Sequence, residues 1–201
     1  MNARDRQREA TRSSILQAAL GAFSERGFDG ASTREIAARA GVHHALIKYH
    51  FENKDSLWRA AVSFLFHRQA EEFEAPGPEA FEDARAYARE LIRRRAYYWA
   101  RHPEHARLMV QESCADSDRF RWMTDEFIAQ TSKVSEQFIR FLQENGLAPA
   151  GPVAPLVYIF VGAAQLFYTL APEVRRVWNL EPTDPQVIED HVEALVAVLI
   201  R

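Results

Sequence analysis

The chain has 201 residues, 47% of them hydrophobic and 26% charged, with a formal net charge of −3. This is the composition of an ordinary globular protein long enough to bury a core. No apolar run reaches the ~18–20 uncharged residues that a membrane helix needs, and the stretch from Leu156 to Leu170 contains Gln165.

The N-terminus opens on Arg4, Asp5, Arg6, Arg8 and Glu9 with no apolar segment behind them, so the expectation is no secretory leader, no membrane partner and a cytoplasmic location. Strand signals are absent and the pattern is helical throughout. The first helix is expected from about Ser13 to Arg26, with Ile15, Ala18, Ala19, Ala22 and Phe23 on one face and Gly27 as the stop. Ser32 to Glu35 fits a capping box opening a second helix, Thr33 to Ala40, that ends at Gly41. A third short helix runs from about His43 to Tyr49. Asn53 caps a fourth, from Lys54 to about Phe73.

Pro76-Gly77-Pro78 is the clearest break. A fifth helix is expected from Glu79 to Arg101, and a sixth from Pro103 to Ser113. A long seventh spans Asp116 to Asn145, with Phe120, Met123, Phe127, Val134, Phe138 and Phe141 on a stripe and Gly146 as the stop. An eighth runs from Val153 to Trp178 with a bend at Pro172. Asp184-Pro185 opens a ninth, whose Ile188, Val192, Leu195 and Leu199 form a seam. The fold class is therefore all-α, about nine helices in total.

Charge is unevenly spread. Residues 1–59 hold ten Lys/Arg against seven Asp/Glu, whereas the remainder holds 15 against 21. A basic end on an acidic body suits a protein that rests one end on phosphates.

The most specific segment is Thr33 to Phe51: helix, tight turn at Gly41, short helix. This is the helix-turn-helix arrangement that lays a second helix in the major groove of DNA. Gly41 suits a positive φ in the turn, Ala37 is small where the helices cross, and Ile36, Val42 and Ile47 supply the wedge between them.

Ile15, Ala18-Ala19, Phe23, Gly27-Phe28, Thr33, Ile36-Ala37, Ala40-Gly41-Val42, Tyr49-His50-Phe51, Asn53-Lys54 and Leu57 together resemble the DNA-binding domain of the TetR family of repressors. The resemblance covers residues 11–59. It implies a three-helix DNA-binding domain over 1–53 and a helical ligand-binding and dimerisation domain over 54–201. Thr33 and Arg34 match positions at the start of the second helix that contact phosphates, where the helix N-terminus favours an anion. His43, His44, Ala45, Leu46 and Lys48 fall on or beside the recognition helix, where His44 and Lys48 could reach base edges. Tyr49, His50 and Lys54 match further phosphate contacts. Leu46 departs from the hydroxyl common in relatives; it either packs inward or meets a thymine methyl.

Several groups have two readings. Adjacent His43 and His44 point about 100° apart on a helix and make a poor metal pair. His102 and His105 are either ligands or a solvated helix start. Arg93-Arg94-Arg95 is either an anion patch or a solvated helix face. Cys114, the single cysteine, rules out an intrachain disulfide and a multi-cysteine zinc site, and is expected as a small helix-face residue. No metal and no cofactor is expected.

An apolar effector pocket among the later helices is expected to be lined by some of Trp99, Met109, Trp122, Phe127, Tyr158 and Gln165. The last two helices, with Gly162, Ala163 and Ala164, form either a homodimer face, as the resemblance implies, or an intrachain contact. The expected function is a repressor released from a palindromic operator when a small molecule binds. An activator, or a regulator needing its ligand to bind DNA, is the alternative on the same fold. A small helical enzyme lacks any nucleophile–base pair, phosphate loop or metal set, so no enzyme activity is expected.

Overall fold

The computed structural model describes residues 2–201. Helices carry the fold, and among the described residues there is no strand. The chain forms two compact units. The first holds residues up to Arg68 together with Arg107–Phe120, and the second holds Gln69–Ala106 with Arg121–Arg201. Compactness thus groups residues 54–68 with the N-terminal helices, because Leu57, Trp58, Ala61, Val62 and Leu65 are buried there.

In the first unit, α1 spans Ala3–Gly30 and so begins ten residues before the apolar pattern suggests. Its exposed first turns are held by local polar chemistry: Asn2 and Asp5 form a reciprocal capping box. Gly27, at φ 70°, interrupts the helix where a glycine stop was expected, and one further turn follows. The second helix, α2, is Thr33–Arg39, and α3 is His44–His50. Gly41 takes φ 66° in the turn between them.

The next helix, α4, is Lys54–Phe73. Asn53 caps it as expected, since its Oδ1 accepts from the Ser56 N–H at 2.8 Å. The Ser32 box is only half made. Its hydroxyl accepts from the Glu35 N–H at 3.2 Å, but the Glu35 carboxylate turns to Arg26 at 2.9 Å and Arg39 at 2.8 Å instead.

In the second unit, the segment after Pro76 makes only a 3-10 turn, Pro78–Ala80, so α5 starts later than expected, at Ala84, with Asp83 as its cap, and ends at Arg101. The next helix, α6, is Pro103–Ser113. The long helix expected over 116–145 exists as α7 (Asp118–Met123), a wide π turn (Thr124–Ile128) and α8 (Ala129–Glu144). Gly146, at φ 69°, ends it. The bent eighth helix is α9 (Val153–Thr169) and α10 (Ala171–Trp178), inclined at 69°. The last helix, α11, is Pro185–Leu199, opened by the Asp184 cap. Two interrupted helices thus turn the expected nine into more segments.

The core of this unit joins α5, α8, α9 and α11 through Ala88, Ile92, Ala96, Phe138, Leu142, Phe160, Ala164, Val192 and Leu195. No single helix is long and apolar enough to cross a membrane among the described residues; α9 and α10 pass that test only as a bent pair.

Candidate nucleic-acid interface

The three N-terminal helices close around Ile15, Leu16, Ala19, Leu20 and Phe23 of α1, Ile36 and Ala37 of α2, and Ile47 of α3. Ile47 is the inward residue of α3; Leu46 is half-buried and Lys48 and Tyr49 point outward. Ion pairs lock α2 to α1, with Arg39 donating to Glu25 at 2.6 Å and Arg26 to Glu35 at 2.9 Å, while Arg39 also holds Glu35 one turn back on α2. The Arg39 bond holds the Glu25 carboxyl below its ordinary value. Ser14 adds a hydroxyl donating to the Ala40 carbonyl at 3.2 Å. These contacts fix the angle at which α3 is presented, and they occupy two arginines that would otherwise offer charge to phosphates.

The expected DNA-facing residues fall into two groups. Arg34, Ala45, Lys48 and Tyr49 are exposed, and Tyr49 keeps 66% of its surface accessible. The others hold the local structure. Thr33 Oγ1 and His44 Nε2 are 3.0 Å apart, which ties the start of α2 to the start of α3. His43 is the N-cap of α3, its Nδ1 accepting from the Ala45 N–H at 3.3 Å. His50 is half-buried with its ring against Tyr49. Burial, then Arg8 and Arg12, push its pKa down, so at neutral pH it is an uncharged ring able to donate one N–H. Lys54 is half-buried; its ammonium donates to the Asp29 carbonyl at 3.3 Å and lies 4.6 Å from the Phe28 ring centre.

Two basic residues join this surface without a signal in the helix-turn-helix spacing. Arg8 lies 5.8 Å over the Tyr49 ring and Arg12 5.6 Å over Phe51. The charge excess near the N-terminus could have found them, since α1 extends back to Ala3.

The residues expected around an effector are dispersed. Trp99 is buried, while Trp122 and Phe127 are half-buried and meet edge to face at 5.6 Å. Gln165 is half-buried, and Met109 belongs to the first unit while the other five belong to the second. Tyr158 is 77% exposed and so lies outside any interior lining of the chain. The second unit has an open cleft of about 570 Å³ that includes Phe81, Arg85, Arg89 and Val196, and a shallower one of about 360 Å³ along Gly162, Leu166 and Leu170. Neither cleft includes any of the six.

The groups with two readings also resolve. His105 is 1% exposed and its Nδ1 lies 2.7 Å from the Tyr98 hydroxyl; His102 Nε2 lies 2.9 Å from Glu72. His105 is therefore not part of a solvated helix start: with Leu108 and Glu112 it lies on the inward face of α6. No group of three metal-ligating side chains occurs among the described residues. Arg93 and Arg94 pair with Glu189 and Glu90 at 2.8 Å each, but Arg95 is buried. The expected solvated face is thus wrong for Arg95, which continues the Ala88, Leu91/Ile92, Tyr98/Trp99 stripe. That spacing was readable in the sequence. Cys114 is exposed just past α6, its thiol donating to the Val110 carbonyl at 3.1 Å.

Comparison with known proteins agrees with this geometry. Residues 15–61 match the family model described as bacterial regulatory proteins, tetR family. The chain is 26% identical over 202 residues to the HTH-type transcriptional regulator RutR of Escherichia coli (strain K12), covering 98% of this chain and 92% of that protein. The HTH-type transcriptional repressor Rv3405c of Mycobacterium tuberculosis is 47% identical over 58 residues, 29% of this chain and 31% of that one.

Among solved structures, a mutant of HlyIIR superposes with a TM-score of 0.68 at 22% identity, covering 96% of this chain and 98% of that chain. The transcriptional regulator FadR from Bacillus subtilis, in complex with stearoyl-CoA, superposes with a TM-score of 0.59 at 15% identity, covering 92% and 97%. With a helix-turn-helix whose second helix presents Lys48 and Tyr49 outward, a match to the tetR family model over residues 15–61, and similarity along nearly its whole length to a transcriptional regulator, the chain reads as a DNA-binding transcriptional regulator similar to those of the tetR family.

Proposed function

We propose that the protein is a cytoplasmic, homodimeric repressor whose residues 1–53 grip a palindromic operator and whose residues 54–201 bind a small molecule that releases it. The carrying observation is the outward face of α3. Lys48 stands exposed beside Tyr49 on a helix anchored by Ile47, with Arg34 exposed at the start of α2. Lys48 reads base edges there, because an ammonium donates to guanine O6 and N7. Arg34, Tyr49, His50 and Lys54 contact phosphates, which fix register and supply salt-dependent affinity. His43, His44 and Thr33 orient α3, and Ala45 is small enough to let the helix approach the groove floor.

A dimer sets two such helices about one DNA turn, ~34–36 Å, apart. Its support is a set of exposed apolar residues on α9, α10 and α11: Tyr158, Ile159, Leu166, Trp178 and Val198. Large exposed apolar groups in one region mark association surfaces. Release follows if the effector binds one conformer better and shifts the population toward a spacing that no longer fits the groove. The helix α4, with Lys54 at one end and Phe73 at the other, is the lever. The fold neighbour solved with stearoyl-CoA supports a ligand role for the helical part.

The test is fluorescence anisotropy with duplex DNA from the upstream region of the protein's own gene, over 50–300 mM salt. Lys48→Ala should weaken specific binding by about 1–3 kcal/mol and leave nonspecific binding nearly unchanged. Lys54→Ala should weaken both and lower the salt slope by about 1. Affinity indifferent to salt would refute the phosphate contacts, and a Lys48→Ala variant with unchanged affinity and sequence preference would refute the base-reading role.

A further inference from the structure

Arg95 is the one point in the second unit where a charge sits in the apolar core with no opposite charge beside it, among the described residues. It keeps only 6% of its surface exposed. Its Nη1 donates to the Leu91 carbonyl at 3.1 Å, one turn back on its own helix. Its other neighbours are rings: the guanidinium carbon lies 4.9 Å from the centre of Phe73, 5.2 Å from Phe138 and 5.6 Å from Phe160.

Three aromatic faces attract a cation, but they do not take hydrogen bonds in the plane of the guanidinium fork. Burial pushes the Arg95 pKa down to about 10, which still leaves it fully charged at neutral pH. A buried cation without a carboxylate is costly. The neighbouring Arg89, Arg93 and Arg94 each have a glutamate, so Arg95 alone is left for an anion from outside.

We infer that Arg95 anchors the effector, and that the effector is a monocarboxylate with an apolar body, its carboxylate on the guanidinium and its body among Phe73, Phe138 and Phe160. This rests on the effector-binding role proposed above and names its ligand class. A single negative charge neutralises the site, whereas a dianionic phosphate would leave one charge unmatched in apolar surroundings. The planar fork of the guanidinium matches two carboxylate oxygens. Phe73 is the wall able to yield: it is half-buried and is the last residue of α4, followed by the Pro76-Gly77-Pro78 break. Movement of Phe73 on binding moves the end of α4.

The experiment uses the full chain and a set of monocarboxylates, butanoate to hexadecanoate with benzoate and phenylacetate, each against its own primary amide. Calorimetry gives affinity, and anisotropy with upstream DNA gives release. At least one acid should bind at least about tenfold more tightly than its amide and release DNA. Arg95→Gln should lose that preference while still binding DNA.

Equal affinity for acid and amide overturns the inference, as does binding of no acid at millimolar concentration or a preference retained in Arg95→Gln. Should Arg95→Gln not fold, Phe160→Leu is read instead. A shift toward bulkier acids with the acid preference intact supports the site, and an unchanged profile overturns it. A chain that fails to bind upstream DNA refutes the regulator mechanism; one that binds DNA but ignores the acids refutes only the Arg95 anchor.

Discussion

The Arg119 guanidinium lies 3.9 Å from the centre of the Phe28 ring, and the Lys54 ammonium lies 4.6 Å from the same centre. Phe28 follows Gly27, where α1 breaks, so one ring at the helix end gathers a cation from α4 and another from α7. Arg119 also stands 3.6 Å from the buried Glu112 carboxylate, whose pKa burial pushes up despite the cation. Gln111 adds a side-chain amide donating to the Ser24 carbonyl at 2.9 Å. A residue expected to touch phosphate is thus packed on the same ring as a residue of α7.

Arg119→Ala should destabilise the fold by about 1–3 kcal/mol, because it leaves a buried carboxyl without its partner. Urea denaturation measures this. Adding Glu112→Gln should recover part of the loss, since the uncharged amide no longer needs the guanidinium. A double variant no more stable than Arg119→Ala alone would show that the ring contact, rather than the ion pair, carries the effect.

Gly41→Ala isolates a backbone cost. A Cβ at Gly41 meets no heavy atom within 4 Å, yet φ is +66°. The left-handed conformation costs a side-chain-bearing residue about 1–2 kcal/mol. The expected result is a lower denaturation midpoint, together with weaker DNA binding if the turn relaxes and tilts α3. An unchanged midpoint would mean that the turn adapts without strain.

Acid should weaken the fold in a defined window. Burial pushes the His191 pKa below its ordinary 6.5, and its Nδ1 lies 2.9 Å from the Tyr168 hydroxyl. The folded state therefore binds fewer protons than the unfolded one below that value. Stability is complete above about pH 6.5 and falls as pH drops toward the lowered folded value. His50 adds in the same direction. Denaturation midpoints at pH 5.0 and 7.5 should differ, and His191→Asn should shrink the difference. An equal difference in that variant would assign the acid sensitivity elsewhere.

The proposed dimer surface is tested by Leu166→Glu. Leu166 is exposed in the chain, so the variant should keep monomer stability within about 0.5 kcal/mol. Light scattering should show a shift toward monomer, and operator affinity should fall because two half-sites no longer bind together. A dimer of unchanged mass would move the interface off α9.

Short-range signals were legible in the sequence because they act over three or four residues. Gly41 and Gly146 take the positive φ their positions ask for, and Asn53 and Asp184 cap the helices they precede. The bend near Pro172 is equally local. The helix-turn-helix itself follows from these stops and from Ile36, Ala37 and Ile47 spaced to meet.

Tertiary structure decided which polar residues the neighbours would cover. Arg93, Arg94 and Arg95 are equivalent as residue types, but successive positions turn about 100°, and only Arg95 falls under Phe138 and Phe160 from helices far along the chain. Thr33 and His44 read as separate DNA contacts, yet the turn at Gly41 brings them within 3.0 Å of each other. Tyr158 is expected to line a pocket and is exposed instead, because among the described residues no element covers that face of α9. Burial depends on what packs opposite, and that partner is distant in sequence. The facing of α3 is divided between the two: the spacing of Ile36, Val42 and Ile47 marks an inward side, but only the packing shows that Ile47 is buried while Leu46 stays half-buried.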